Sequence, residues 1–520
     1  MFFIVGLALL YIKISAENSQ NYLNNHTFGW FLSDFYYLCH KNTTVMIIGR
    51  TEEQQELRRA YESEYSEFVA VYGRRRVGKT FLVRETFGYQ FTFTHTGLAK
   101  KNTKAQLANF QTSLRSQGMP KAPMPENWLQ AFVLLEELLQ KSTDKKKVVF
   151  IDELPWMDAP RSSFLMALEH FWNGFASARK DILLIVCGSA TSWIINKIVK
   201  NHGGLHNRIT YSIPLQPFTL NECEQYAKSL KLEMNRRQIV ECYMIMGGVP
   251  FYWSKLKRGK SLAQNIDDLF FAKTGGLRDE FSQLYASLFL RPERYIKVVE
   301  VLGTKKVGMT RTEIVSSGKA VSNGKLTSVL EDLEYCGFIR KYYSIGKKTK
   351  DAIYQLIDNY TLFYYKYIAG NTINDEHFWS KNLGAPLYNA WSGLAFERVC
   401  LLHSRQIKDK LGISGVITSE YSWRTDKTDE HPGVQIDLLI DRSDDTITIC
   451  EMKFTREPFA ISHDYDEKLQ MRKAIFRSET GTTKALHIAL VSYAGLVRNA
   501  YSDDIQNQVT ADDLFKDIPT

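Results

Sequence analysis

Apolar residues recur along the chain in runs of two kinds, and each kind predicts a different element. Short unbroken runs at Phe68–Tyr72, in KKKVVFIDELPWM (145–157) and in DILLIVCGSATSWI (181–194) suit strands buried on both faces. They alternate with segments of helical spacing, which argues for a parallel sheet with ligands at its carboxyl edge. From 291 to 358 the spacing changes. Val298, Val299 and Leu302 mark one helical face, Ile314 a second, and Leu326, Val329, Leu330 and Leu333 a third, closed by Gly337. Two strands, Phe338–Ile345 and Ala352–Ile357, then flank the turn GKKTKD. After residue 371 the pattern shifts again, to a helix at 391–413, a strand-rich stretch, a helix at 466–476 and a strand at 484–492.

The order of elements in 291–358 is that of a winged helix-turn-helix, with Ser322–Tyr335 as its recognition helix and Lys347, Lys348 and Lys350 on the wing. Asn323, Lys325, Arg340 and Lys341 are then candidates to face a nucleic-acid duplex. Glu331, Asp332 and Glu334 on the same helix would repel phosphate, and packing against another module is the competing expectation.

Composition adds bounds rather than identity. The 520 residues allow about three domains. With 44% hydrophobic and 24% charged residues, the chain reads as ordinary soluble globular protein. A net charge of +9 permits a nucleic-acid partner without demanding one. The seven cysteines form no CxxC pair and no zinc spacing, so cytosolic thiols are expected and a structural zinc is not. The apolar run Phe2–Ile12 is too short to span a bilayer and lacks a basic flank. Residues 1–45 are expected to be an upstream extension from a mis-assigned start, with a short membrane or signal anchor as the alternative. Stable membrane association is not expected, and a cytoplasmic location is.

The chemistry is clearest in EFVAVYGRRRVGKTFLVRETF (67–87). Gly73, Gly78, Lys79 and Thr80 fit G-x-x-x-x-G-K-[ST] between a strand and a helix. Glycines let backbone N–H groups close around phosphates, Lys79 reaches the β/γ oxygens of ATP, and Thr80 coordinates Mg²⁺. Arg74, Arg75, Arg76 and Val77 inside the loop, and Phe81 after it, are assigned to the same nucleotide-binding segment. Asp152 and Glu153 end the second apolar strand, where the first carboxylate holds Mg²⁺ and the second polarises the attacking water. Ser189 or Thr191, at the end of the third strand, stands where a γ-phosphate sensor belongs, although a helix N-cap is an equal reading of Ser189. Arg208 is a candidate source of positive charge, in cis or from a neighbouring copy, with plain surface arginine as its alternative.

These blocks, with IIGR–TEEQQEL, PLQPF and MGGVPFYW, resemble the archaeal-type P-loop ATPases of the AAA+/STAND group over residues 46–285. The resemblance implies a nucleotide-binding core at 46–216 and a small helical lid at 217–285. The winged helix then occupies 286–370 and a last domain 371–520.

In that last domain GVQIDLLIDRSDDTITICEMKF (433–454) places Asp437 on one strand and Glu451-x-Lys453 on the next. Helix, strands, helix, strand with this pattern resembles the PD-(D/E)xK nuclease core, a restriction-endonuclease-like α/β fold. Asp437 and Glu451 would hold Mg²⁺ and Lys453 would orient water or stabilise the phosphate, with Glu397 and Gln470 as possible helpers from the flanking helices. A strand-edge salt bridge is the bland reading of Glu-x-Lys. The whole is an α/β chain expected to hydrolyse ATP with Mg²⁺ and so control a nuclease-like domain acting on DNA or RNA. The alternative is an ATP-driven regulatory switch or DNA-binding protein whose nuclease-like domain is inactive. A homo-oligomer or a partner protein fits either.

Overall fold

The unbroken apolar runs become the strands of one parallel sheet in the computed structural model, which describes residues 47–200, 203–205, 207–318, 324–343, 345, 352–370 and 375–518. Strands β1 (Glu67–Tyr72), β2 (Phe93–Thr96), β3 (Lys147–Asp152), β4 (Ile182–Gly188) and β5 (Tyr211–Pro214) lie in the order β2-β3-β4-β1-β5. Every pairing is parallel. β3 and β4 are buried at each position, which is why their sequences do not alternate. Because β1, first in the chain, sits between β4 and β5, the connections diverge at its carboxyl end and leave a crevice there. This is the sheet of a P-loop nucleoside-triphosphatase fold.

Lid helices Leu220–Ser229 and Arg236–Met246 each open on a capping box, Thr219 with Glu222 and Asn235 with Gln238. The middle segment holds helices Pro292–Gly303, Arg311–Ser316 and Gly324–Tyr335. Its three-stranded antiparallel sheet joins β6 (Met309–Thr310), β7 (Ile339–Tyr342) and β8 (Ile353–Leu356) in the order β6-β8-β7. Ser322, Asn323, Lys347, Lys348 and Lys350 lie outside the described residues, as do residues 1–45.

The C-terminal segment builds a mixed sheet from β9 (Thr418–Thr425), β10 (Val434–Arg442), β11 (Thr446–Lys453), β13 (Ala485–Ser492) and β15 (Ile505–Thr510). Its order is β15-β13-β11-β10-β9, antiparallel through β9, β10 and β11 and parallel from β11 onward. Short strands β12 (Phe459–Ala460) and β14 (Leu496–Val497) pair beside it. Helices Pro386–Leu402 and His463–Thr480 flank it.

Ile48–Thr520 forms one compact unit. Within it, one apolar core fills the ATPase sheet from Phe68 to Leu205. A second runs from Phe218 of the lid through the middle segment to Phe515 near the C-terminus. The six described cysteines are buried free thiols. No helix among the described residues is long and apolar enough to cross a membrane.

The helix expected over 391–413 is two helices, Pro386–Leu402 and Ser404–Lys410, broken at His403. The ring explains the break. His403 Nδ1 donates to the Val399 carbonyl (2.7 Å), and its Nε2 accepts the Leu220 N–H (3.0 Å), tying this helix to the lid. Burial lowers the His403 pKa from 6.5 to about 4, and burial does the same to His95. Below the ordinary histidine value the unfolded chain therefore takes up protons that the folded chain refuses until about pH 4. Stability should fall as pH drops through that window. Urea denaturation at about pH 7 and about pH 5 should show a larger loss for wild type than for a His95→Asn/His403→Asn variant.

Candidate functional site

The loop after β1 is shaped by two glycines. At Gly73 (φ 148°) a Cβ would lie 2.2 Å from the Leu215 carbonyl oxygen, so no other residue fits. Gly78 (φ 95°) has open space around it but a backbone that L-residues avoid. Helix Lys79–Thr86 begins directly after, and the N–H groups of Lys79, Thr80 and Phe81 have no intrahelical acceptor. Lys79 Nζ is buried and donates to the carbonyls of Gly73 (2.8 Å) and Arg74 (2.9 Å). Thr80 Oγ1 donates to Asp152 Oδ2 at 2.7 Å, which brings the ends of β1 and β3 together. Free N–H donors, a buried ammonium and adjoining hydroxyl and carboxylate oxygens fit a phosphate chain with a hard divalent ion.

Glu153 follows in the left-handed region (φ 48°). Its carboxylate accepts from Ser189 Oγ (2.7 Å) and from the Ser189 N–H (3.2 Å) at the end of β4. Ser189 is thus the holder of Glu153 and caps no described helix. Arg208 is exposed in the turn before β5, and no described residue forms an ion pair with it. The structure does not bring it to Lys79, Asp152 or Glu153.

Two loop arginines depart from expectation. Arg74 and Arg76 each pair with a buried acid of a distant segment. Arg74 Nη1 pairs with Asp358 Oδ1, and its guanidinium lies 4.9 Å from the Phe338 ring centroid. Burial opposes the Arg74 charge, but Asp358 more than offsets it and holds the pKa above the ordinary value. Arg76 Nη1 lies 2.6 Å from Glu280 Oε2 and stacks 4.0 Å from the Phe251 centroid. Glu280 also accepts from Tyr252 Oη at 3.0 Å. Arg75 and the Phe81 ring are exposed, and Val77 is buried. A cavity of about 770 Å³ opens beside Arg74, walled by Gly49, Arg50, Gly248, Asp358 and His403.

The C-terminal acids do not form the single ligand set expected. The register Leu438↔Cys450 leaves Asp437 and Glu451 at neighbouring positions on β10 and β11. Their side chains nevertheless go to different cations. Glu451 is taken by Arg472 Nη1 (2.8 Å), Lys453 Nζ (3.1 Å) and the Tyr465 hydroxyl. Asp437 and Glu397 share Lys306, whose Nζ lies 3.4 Å from Asp437 Oδ2 and 2.9 Å from Glu397. Burial, with Asp437 nearby, pushes the Glu397 pKa up to about 7 against the pull of Lys306. Among the described residues, the one group of three or more acid and histidine side chains close enough to share an ion is the exposed His463, Asp464 and Glu467. Gln470 donates to Asp504 (2.6 Å), on another side of the domain's hydrogen-bond network.

Of the residues expected to face a duplex, Lys325 and Lys341 are exposed, whereas Arg340 is occupied within the chain. Arg340 Nη2 donates to Ser422 Oγ (2.8 Å) on β9, and burial lowers its pKa to about 10. Tyr295 Oη donates to Asp332 (2.6 Å), and Lys200 Nζ sits 5.6 Å from the Tyr335 centroid. Asp358, Glu280, Lys306 and Arg472 are the site residues that sequence reasoning missed. Asp358 alone left a trace, as an acid three residues before Thr361 at the head of an apolar helix, the spacing of an N-cap.

Sheet order, loop and acidic strand end together point to a P-loop ATPase domain, and the family match agrees. Residues 48–256 match a family described as an ATPase domain predominantly from Archaea, so this segment is an archaeal-type P-loop ATPase domain. An uncharacterised protein of Methanocaldococcus jannaschii is 25% identical over 360 residues, 68% of this chain and 76% of its own. Among solved structures, a Walker-type ATPase of Pyrococcus abyssi covers 61% of this chain and 95% of its own, at 15% identity and TM-score 0.43. The ORC2 protein of Aeropyrum pernix, with ADPNP and ADP, covers 61% and 91% at 13% identity and TM-score 0.37.

Breaking the buried Arg74–Asp358 pair from either side strands the other charge. Arg74→Ala and Asp358→Ala should each cost about 3–5 kcal/mol in urea denaturation. The double variant should lose clearly less than the sum, because one broken contact is then counted once.

Proposed function

We propose that the chain is an Mg²⁺-dependent ATPase whose loop state sets the position of the middle segment and, through it, of a nuclease-like C-terminal domain directed at DNA or RNA. The observation that carries this reading is the pair of contacts leaving the loop itself, Arg74 to Asp358 and Arg76 to Glu280. A loop that must rearrange around phosphates cannot do so without disturbing those partners.

Lys79 surrenders two carbonyl acceptors to receive phosphate oxygens, an exchange of neutral for charged acceptors that favours binding. Thr80 and Asp152 would hold a divalent ion, which when bound would neutralise developing phosphate charge. Glu153 orients water once Ser189 releases its carboxylate. Arg208, exposed on its turn, would supply its positive charge from a neighbouring copy if the chain forms a homo-oligomer. The compartment that suits this chemistry and the free thiols is the cytoplasm.

A second reading, a regulatory switch with an inactive nuclease-like domain, is favoured by Glu451, which already holds three partners. In that case the winged-helix-like middle segment acts as a packing module, as the internal contacts of Arg340 and Asp332 suggest.

Lys79→Ala should abolish nucleotide binding or turnover in a binding titration and a phosphate-release assay, and binding that survives sinks the ATPase assignment. Glu153→Gln should keep binding while turnover drops about 100-fold. Incubation of single- and double-stranded DNA and of RNA with Mg²⁺ or Mn²⁺ separates the two readings. Cleavage lost in Glu451→Ala, with ATP turnover intact, supports the first, and no cleavage by the wild type supports the second.

A further inference from the structure

Lys306 belongs to the middle segment, yet its ammonium sits between two carboxylates of the C-terminal domain. It lies in the turn between helix Pro292–Gly303 and β6. That turn is held from several sides. The Lys306 carbonyl accepts from Gln355 Nε2 (2.7 Å) of β8 and from Arg398 Nη2 (2.5 Å), and the Val307 carbonyl accepts from the Tyr342 hydroxyl of β7. Gly308 (φ 83°) closes the turn, where a Cβ would lie 2.3 Å from the Tyr354 carbonyl oxygen. Held in this way, the turn delivers the Lys306 side chain to Glu397 and Asp437.

Charge accounting gives this delivery a meaning. Two largely buried carboxylates from different elements, a helix and a strand, converge on one small cation. Arg398 is fully enclosed next to Glu397, but its Nε and Nη1 have no hydrogen-bond partner. Arg340 spends its donors on Gln355 and Ser422. Among the described residues, the ammonium of Lys306 is then the one cation that bridges both acids, at the distances an ion pair takes. Two hard oxygen donors around a single positive charge are also what a divalent ion seeks.

We infer that Lys306 is an internal counter-ion that shuts the Glu397–Asp437 pair against divalent cations, so that the ion enters only when the turn Lys305–Gly308 carries the ammonium away. The inference rests on the nuclease-like reading for its biological purpose, but ion uptake is tested apart from cleavage. Shutting works by competition: the pair binds an ion in proportion to the fraction of molecules whose lysine has left. Because the turn is built into the middle sheet, that fraction answers to the same segment that Arg74 grips through Asp358.

The test is Mn²⁺ binding to the full-length, nucleotide-free chain, followed by electron paramagnetic resonance. Lys306→Met, which keeps the length and removes the charge, should bind one additional ion per chain at least about tenfold tighter than wild type. Adding Asp437→Asn to that variant should remove the extra ion. A Lys306→Met protein with wild-type melting and ATP turnover but no extra ion overturns the inference. Should that variant fail to fold, amine labelling of the wild type read by mass spectrometry decides. Lys306 should be protected without Mn²⁺ and labelled as Mn²⁺ rises, whereas protection that Mn²⁺ never relieves overturns the inference. Uptake of the ion without cleavage of any nucleic acid upholds the closed site and removes only the nuclease reading.

Discussion

The buried pair of Arg74 and Asp358 is the contact on which the rest of the molecule turns. Arg74 belongs to the phosphate loop, and Asp358 heads the helix Asn359–Phe363, whose Thr361 N–H and hydroxyl it also accepts. Phe338, at the start of the middle sheet, covers the guanidinium. Two segments far apart in sequence, the phosphate loop and the middle segment, therefore meet on one buried charge. A buried ion of this kind costs several kcal/mol to desolvate and repays it only with good geometry, so its value lies in position more than in net stability. Arg76 repeats the device toward Glu280, the first residue of helix Glu280–Leu288. The loop is thereby held at two points by acids of later segments.

Lysine plays two contrasting parts in the same chain. Lys79 rests on two neutral carbonyl oxygens, which are weaker partners than phosphate and are released readily when a charged acceptor arrives. Lys306 rests on two carboxylates in a largely buried setting, where removing the ammonium leaves like charges facing each other. One lysine is poised to change partners and the other resists it. Glu153, parked on Ser189, is of the first kind, since a hydroxyl and one N–H are all that hold it aside.

What could be read from the sequence follows from the range of the forces involved. The phosphate loop was legible because Gly73 and Gly78 answer to local backbone geometry, and β3 and β4 because burial on both faces leaves unbroken apolar runs. The middle helices and strands emerged from their period in the same way. Partners chosen across hundreds of residues left no such trace. Nothing in VYGRRRVGKT tells which arginines turn inward, since the decision is made by Asp358 and Glu280. Glu-x-Lys at Glu451 and Lys453 looked like a metal site, and Arg472 on a later helix converts it to an ion-pair cluster. The break at His403 was equally invisible, because the Leu220 N–H that its ring accepts comes from the lid.

The two apolar cores constrain how any signal from the loop can travel. The second core is continuous from Phe218 to Phe515, so lid, middle and C-terminal segments cannot separate without exposing apolar surface. The ATPase sheet has its own core, and the seam between the two is crossed by Arg74 and Arg76. Those two buried ion pairs are therefore the contacts through which a change in the loop reaches the second core. A change around Lys306 must then be local, a shift of the turn Lys305–Gly308 against Gln355 and Arg398, three polar contacts deep, and not a parting of domains. Asp358 lies just beyond β8, the strand that contributes Gln355 to that turn, which gives the loop a short, stiff route to it through a single strand.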